Sequence, residues 1–397
     1  MNSISDTANI NNNSKGHRAW LLVALHLFAT SVTSFFLAVF FKEKLGFSGS
    51  QIGVLFSIQA ITGVLVTFPA GMGNDRVSSR ALIAGSLVVQ SVFFFLMGTV
   101  KAYPLYLLIF FVWNSANMLL RLSIDVHVLK NEQGEKTASS LGWYLTWRFF
   151  GAFVGTIVAG FLIKYLDFEV TLFMAGAFIF LLLFIVKGLE ARPLSKVKLS
   201  DYTADFSNPT VLFFAAWTFM FSTHWGAEMT CYGLFLRENL RLDFTGIGLY
   251  TGGEYLIMAL TFAFVAIKYR PDTSLWHYAV WGLAASGVGH IGMIFEPVWL
   301  SFTFRLIHGV GDSLVFVLFY IGIFKLFKLE RRGGNTGLMN MTTMLGMIAG
   351  SLIYSPLGET KGYAMPLWIS GALTLLLILP LYSGKVRRSM KKRSQSA

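Results

Sequence analysis

The sequence predicts an all-α integral membrane protein of twelve transmembrane helices, arranged as two pseudo-symmetric six-helix bundles. Three observations predict it. The chain of 397 residues is 55% hydrophobic and only 13% charged, more apolar than a soluble core can absorb. Runs of about 20 apolar residues, the length that crosses roughly 30 Å of hydrocarbon, recur from end to end. The second half repeats the first at a fixed offset.

The twelve runs cover residues 20–41, 50–71, 80–100, 104–128, 138–163, 169–188, 210–235, 246–267, 275–295, 298–323, 335–356 and 363–383. They group into an N-terminal bundle at 20–188 and a C-terminal bundle at 210–383, joined by a polar cytoplasmic connector at 189–209. Residues 1–19, rich in Asn and Ser, are expected to form a disordered cytoplasmic tail rather than a cleaved signal peptide. The basic tail at 384–397 is expected on anionic headgroups, each basic residue near the surface contributing about 1 kcal/mol.

Charge orients the bundle. With the N-terminus inside, 22 of the 32 Lys and Arg residues fall in cytoplasmic segments, 7 in outer loops and 3 within spans, which is the positive-inside bias. The net charge of +12 is therefore a topology signal, and nucleic acid is not an expected partner. The expected location is a plasma membrane, that of a bacterial inner membrane, with both termini cytoplasmic. The single cysteine, Cys231, excludes an internal disulfide or a cysteine zinc cluster and is expected to pack inside span seven.

Glu43, Leu45, Ile52 and Gly53 recur as Glu238, Leu240, Ile247 and Gly248, an offset of 195 residues. The same offset lays Gly142, Gly151 and Gly155 over Gly337, Gly346 and Gly350. Duplicated halves are a recurring transporter plan.

The polar turn between spans two and three reads Gly71-Met-Gly-Asn-Asp75-Arg76-Val-Ser-Ser-Arg80-Ala-Leu-Ile83. Gly71 permits close helix approach, Asp75 is expected to cap the next helix, and Arg76 and Arg80 anchor topology. The stretch resembles the loop signature of the major facilitator superfamily, G-x-L-a-D-R-x-G-R-R-x-x-L, departing from it at Gly73, Ser78 and Ser79. Span five, from Gly151 to Gly160, is similar to the family's G-x-x-x-G-P-x-x-G-G string with Thr156 in place of proline, and its small residues are read first as packing. In span ten, Arg305-Leu-Ile-His308-Gly-Val-Gly-Asp312 resembles the R-x-x-x-G signature of that family's fourth span. The resemblance covers nearly the whole chain. It implies alternating access, a cavity lined by spans one, four, seven and ten, and a cytoplasmic gate controlled by Gly71, Asp75, Arg76 and Arg80.

Polar residues in those four spans fall on one face each: His26, Thr30 and Thr33; Asn114, Asn117, Arg121 and Asp125; His224 and Glu228; Arg305, His308 and Asp312. A charge facing lipid at mid-bilayer costs roughly 2.5 to 3.5 kcal/mol even on the lower scale, so these stripes face protein or water. Glu228 and Glu254 are expected near the depth of Arg305 and His308, an arrangement similar to that of the superfamily's sugar–proton symporters. Glu228, Glu254, His308 and Asp312 are the expected proton-coupling residues. His26, Asn114, Asn117, Arg121, Arg148, His224 and Arg305 are the expected substrate contacts, and the three intramembrane arginines favour an anionic or zwitterionic solute. Asp125 is expected to latch the gate through Arg76, Arg80 or Arg148. The alternative for all of these charges is a set of ion pairs that only holds helices together.

The expected function is secondary active transport of a small organic solute, coupled to protons. An exporter of amphiphilic compounds, or a receptor on a transporter scaffold, are the alternatives. The sequence contains no phosphate-binding G-x-x-x-x-G-K-S/T string, metal-ligand spacing or nucleophile–base pair, so no enzyme activity, cofactor or metal is expected. The expected partners are the solute, protons and the lipid bilayer, with the chain acting as a monomer.

Overall fold

The computed structural model describes residues 18–33, 36–37, 40–131, 137–189, 198–269 and 275–383. The expected tail from residue 1 to 17, the basic tail and residues 190–197 of the connector lie outside the described residues. Every expected span is helical: α1 (Arg18–Thr33), α2 (Gly49–Arg76), α3 (Ser79–Thr99), α4 (Tyr103–Asn131), α5 (Thr137–Leu166) and α6 (Phe168–Leu181) in the first half. The second half holds α7 (Pro209–Ala227), α8 (Phe244–Lys268), α9 (Leu275–Gly292), α10 (Val298–Leu326), α11 (Arg332–Lys361) and α12 (Ala364–Leu376). Among the described residues, nine helices are long and apolar enough to cross a membrane on length and composition alone. A short helix, Leu199–Phe206, lies in the connector.

Helix starts are set by side chains that satisfy the free N–H groups of the first turn. Ser48 and Gln51 form a capping box on α2, Asn208 precedes Pro209 on α7, and Asp243 caps α8. The expectation for Asp75 is corrected here. α2 runs on through Asp75 to Arg76, and the Ser78 hydroxyl, in extended backbone just ahead of α3, accepts from the Ala81 N–H at 3.3 Å. Ser78 therefore caps α3, which frees the Asp75 carboxylate for a more distant helix.

Two compact units emerge. One contains α1–α4, most of α5, α6, the connector through Tyr202, and residues 327–338 at the start of α11. The other contains the first turns of α5, then α7–α10, the remainder of α11, and α12. Within the first, Gly151 and Gly155 of α5 press on the backbone of α1 so closely that a methyl group would collide with the carbonyl oxygens of Ala24 and Phe28. Within the second, Gly346 and Gly350 of α11 meet the carbonyl oxygens of Phe219 and Thr223 of α7 in the same way. Each contact is the other shifted by the repeat offset, so the small-residue string of span five acts in packing.

The irregular backbone repeats too. Span one ends in a π-helical turn at Phe40–Lys44 and span seven in another at Phe235–Asn239. Left-handed backbone occurs, among the described residues, at Gly46 (φ 67°), Asp167 (φ 85°), Arg241 (φ 55°) and Gly362 (φ 87°). These are two repeat pairs, each with glycine in one half only. A side chain in that region is disfavoured by roughly 1 to 2 kcal/mol. Asp167 recovers stabilisation by accepting from the Phe168 N–H at 2.7 Å and pairing with Lys44 at 2.6 Å. Exposed Arg241 has no such role for its backbone.

Two outcomes are expected. Arg241→Gly should stabilise the protein by about 1 kcal/mol, read as a higher Tm in detergent, whereas Asp167→Gly should lower it. The Lys44 ammonium holds the Asp167 carboxyl below its usual range and the carboxylate raises Lys44, so their mutual stabilisation is present above the unfolded carboxyl pKa of about 4 and lost as pH falls further. The Tm difference between wild type and Lys44→Met should be small at pH 7, because the pair is exposed, and vanish at pH 3.

Candidate functional site

In the C-terminal unit, α7, α8, α9 and α10 gather a charged cluster that contains all the residues expected to couple protons. Arg305 of α10 is 1% exposed, and its guanidinium bridges two carboxylates. Nη1 donates to Glu228 on the first π-helical turn beyond α7, and Nη2 lies 2.5 Å from Glu254 Oε2 on α8. The guanidinium plane also lies over the Tyr232 ring, 4.2 Å from its centroid, an attraction to the ring face that strengthens with desolvation. One turn along α10, His308 Nε2 is 3.1 Å from Glu228 Oε1 and 3.6 Å from Asp312 Oδ2.

Asp312, 3% exposed, accepts from Trp225 Nε1 at 2.8 Å and from the Ser286 hydroxyl at 2.7 Å, with His224 Nε2 at 3.3 Å. Backbone approach makes this density of polar groups possible. On α9, Gly289 abuts the backbone of His308, and on α10, Gly311 abuts that of Ser286; any side chain would wedge the helices apart. The sequence reading named Glu228, Glu254, Arg305, His308, Asp312 and His224 but missed Ser286 and His290, both fully buried on α9. Their spacing of four is a polar stripe in span nine, the signal that could have found them.

A second buried centre lies in the N-terminal unit. Asp75 is fully buried, and its carboxylate accepts from the Gly334 N–H at 2.8 Å, the Gly333 N–H at 3.2 Å and the Tyr202 hydroxyl at 2.8 Å. Lys130 Nζ, at 2.6 Å, supplies the countercharge. Gly333 and Gly334 open α11, so Asp75 caps the eleventh helix at its positive dipole end. Gly71 touches the Gly333 carbonyl where a methyl group would not fit, and Arg332 donates to the Leu129 carbonyl at 2.8 Å. Arg76 is exposed and Arg80 half-buried nearby in sequence. Neither Tyr202 nor Lys130 could have been linked to Asp75 from spacing.

The other expected contacts of this unit divide. Arg148 pairs with Asp125 at 3.1 Å, both buried, which fixes the partner that the sequence left open. His26 Nε2 is 2.9 Å from the Gln90 side-chain oxygen, and Asn114 donates to the Gln59 carbonyl at 2.9 Å. Asn117 and Arg121 are half-buried on α4. Cys231 is buried, its sulfur 3.5 Å from the Tyr354 carbonyl oxygen.

Paired helices of this length, with charge confined to protein-buried clusters, define a polytopic membrane transporter. The sequence profile of the Major Facilitator Superfamily matches residues 19–270 and 218–397, and the chain belongs to that family. No curated protein sequence matches it significantly. Among solved structures, it is similar to the human organic anion transporter MFSD10 (TETRAN), with a TM-score of 0.71 and 13% identity over 93% of this chain and 99% of that one. It is also similar to the major facilitator transporter FucP in its outward conformation, with a TM-score of 0.67 and 14% identity over 92% of this chain and 98% of that one. These likenesses establish a transporter fold, and the chain is a multi-pass membrane protein rather than an enzyme.

Asp75→Asn should lower the stability by about 3 kcal/mol, because it leaves Lys130 without its buried countercharge. Tyr202→Phe, which removes one hydrogen bond to a charged group, should cost about 1.5 to 3 kcal/mol. Thermal unfolding in one detergent compares the two, and a larger loss for Tyr202→Phe would show that the ion pair is not the dominant contact.

Proposed function

We propose that the chain is a proton-coupled secondary transporter of a small organic anion or zwitterion, working by alternating access in a plasma membrane with both termini cytoplasmic. The observation that carries this reading is one buried guanidinium shared by two carboxylates, Glu228 and Glu254. A substrate carboxylate or phosphate can take Arg305 only by displacing one of them, since planar bidentate recognition uses the same donors. The displaced glutamate would then be an unpaired charge in an apolar surround, which is strongly unfavourable. A proton neutralises it. Anion and proton therefore enter together, and release of the anion returns the glutamate to Arg305 and expels the proton.

His308, touching both Glu228 and Asp312, is placed to pass a proton between them. Asn114, Asn117, Arg121, Arg148 and His26 are the proposed contacts of the N-terminal bundle. Asp75, with Gly71, Arg76, Arg80 and the Asp125–Arg148 pair, is the proposed cytoplasmic gate. The description of the similar human protein as an organic anion transporter agrees with this choice of substrate class.

The reading is checked first by ligand-induced stabilisation, because a solute that binds only the folded protein raises its Tm. Among organic anions, sugars, peptides and amphiphilic cations, anions should stabilise wild type and lose that effect in Arg305→Gln. Stabilisation by amphiphilic cations that ignores the substitution would favour an exporter. In proteoliposomes, a pH gradient should accelerate flux of the stabilising anion. Glu254→Gln should retain anion exchange yet respond to the gradient less than one-tenth as strongly; an undiminished response would remove Glu254 from coupling.

A further inference from the structure

Three buried histidines of the C-terminal unit converge from three helices: His224 on α7, His290 on α9 and His308 on α10. Their ring centroids are 4.9 to 5.5 Å apart, and one nitrogen from each lies within 4.8 Å of the others. Donors on a tetrahedral ion with bonds of 2.0 to 2.1 Å stand about 3.3 Å apart, so modest side-chain rotation closes the set.

The hydrogen bonds orient two of the rings. His224 Nδ1 lies 2.5 Å from the Phe221 carbonyl oxygen, and His308 Nδ1 lies 2.9 Å from the Ser286 carbonyl oxygen. An Nδ1–H donated to a carbonyl leaves Nε2 as the free lone pair, the arrangement that metal-binding histidines use. Both Nε2 atoms face Asp312 Oδ2, at 3.3 and 3.6 Å. Lone pairs aimed at a carboxylate oxygen repel it unless a positive species lies between them. His308 Nε2 and His290 Nδ1 are moreover fully buried without a hydrogen-bond partner.

Charge balance points the same way. Glu228, Glu254 and Asp312 against Arg305 leave two negative charges to be offset if the histidines are neutral, and uncompensated charge in such a surround is prohibitive. Imidazole nitrogens select borderline transition metals over magnesium or calcium, which prefer all-oxygen sites.

We propose that His224, His290, His308 and Asp312 form a binding site for a divalent transition-metal cation of the zinc or cobalt type. This site does not depend on the transport reading, and its test reads binding rather than flux. Full-length protein is stripped with a chelator in detergent and titrated with Co²⁺, following visible d–d absorption and gel filtration. One saturable equivalent with tetrahedral-type bands is expected for wild type, with affinity falling on the order of 100-fold in His290→Ala. His277→Ala, at an exposed position, should bind as wild type does. Monodisperse wild type that takes up no saturable cobalt would overturn the proposal and leave protons as the balancing charge. Unchanged binding by both His290→Ala and His308→Ala would overturn it equally. Because the wild-type titration alone can fail, the test stands even if a variant does not fold.

Discussion

A charge removed from water has to find its opposite inside the protein, and that constraint organises both halves of this chain. Arg305 sits in an apolar surround between Glu228 and Glu254, with an aromatic face beneath it. Asp75 meets the same requirement differently, through one lysine, a tyrosine hydroxyl and two N–H groups at a helix start. In each case the partners come from several helices, so the charge ties those helices to one another. The helices can come that close only because glycine occupies the contact positions, Gly289 and Gly311 at one centre and Gly71 and Gly333 at the other.

Duplication supplied the scaffold and left the chemistry uneven. Glycine contacts, π-helical turns and left-handed positions recur at one offset in both halves. The residues that carry charge do not. The counterparts of Arg305, His308 and Asp312 in span four are Phe110, Trp113 and Asn117. Phe110 and Trp113 stack on each other, with ring centroids 5.6 Å apart, in an apolar core. Backbone geometry is shared because it makes each half fold; side-chain chemistry is free to diverge because a single charged site suffices for two lobes.

The fold was legible because its determinants are local or periodic. Apolar runs of fixed length, the sign of loop charges and a constant repeat offset need no knowledge of contacts. Much of the charged cluster could also be read, since Arg305, His308 and Asp312 lie on one helical face. What escaped was pairing across helices. Asp75 reads as a cap for the helix that follows it, and only the fold reveals that it caps one 257 residues away at Arg332. His290 stands alone among small residues in span nine, so its meeting with His224 and His308 depends on helix packing, which spacing does not encode.

The matching π-helical turns have a consequence for the history of the chain. A π turn holds one residue more than an α turn of similar length, so it marks an inserted residue in a helix. Phe40–Lys44 and Phe235–Asn239 carry that surplus at the same repeat position. The simplest origin is a single insertion that occurred in the half-length ancestor and was copied when the gene doubled. The chain thus preserves the order of two events: the helix was already irregular before there were two of it.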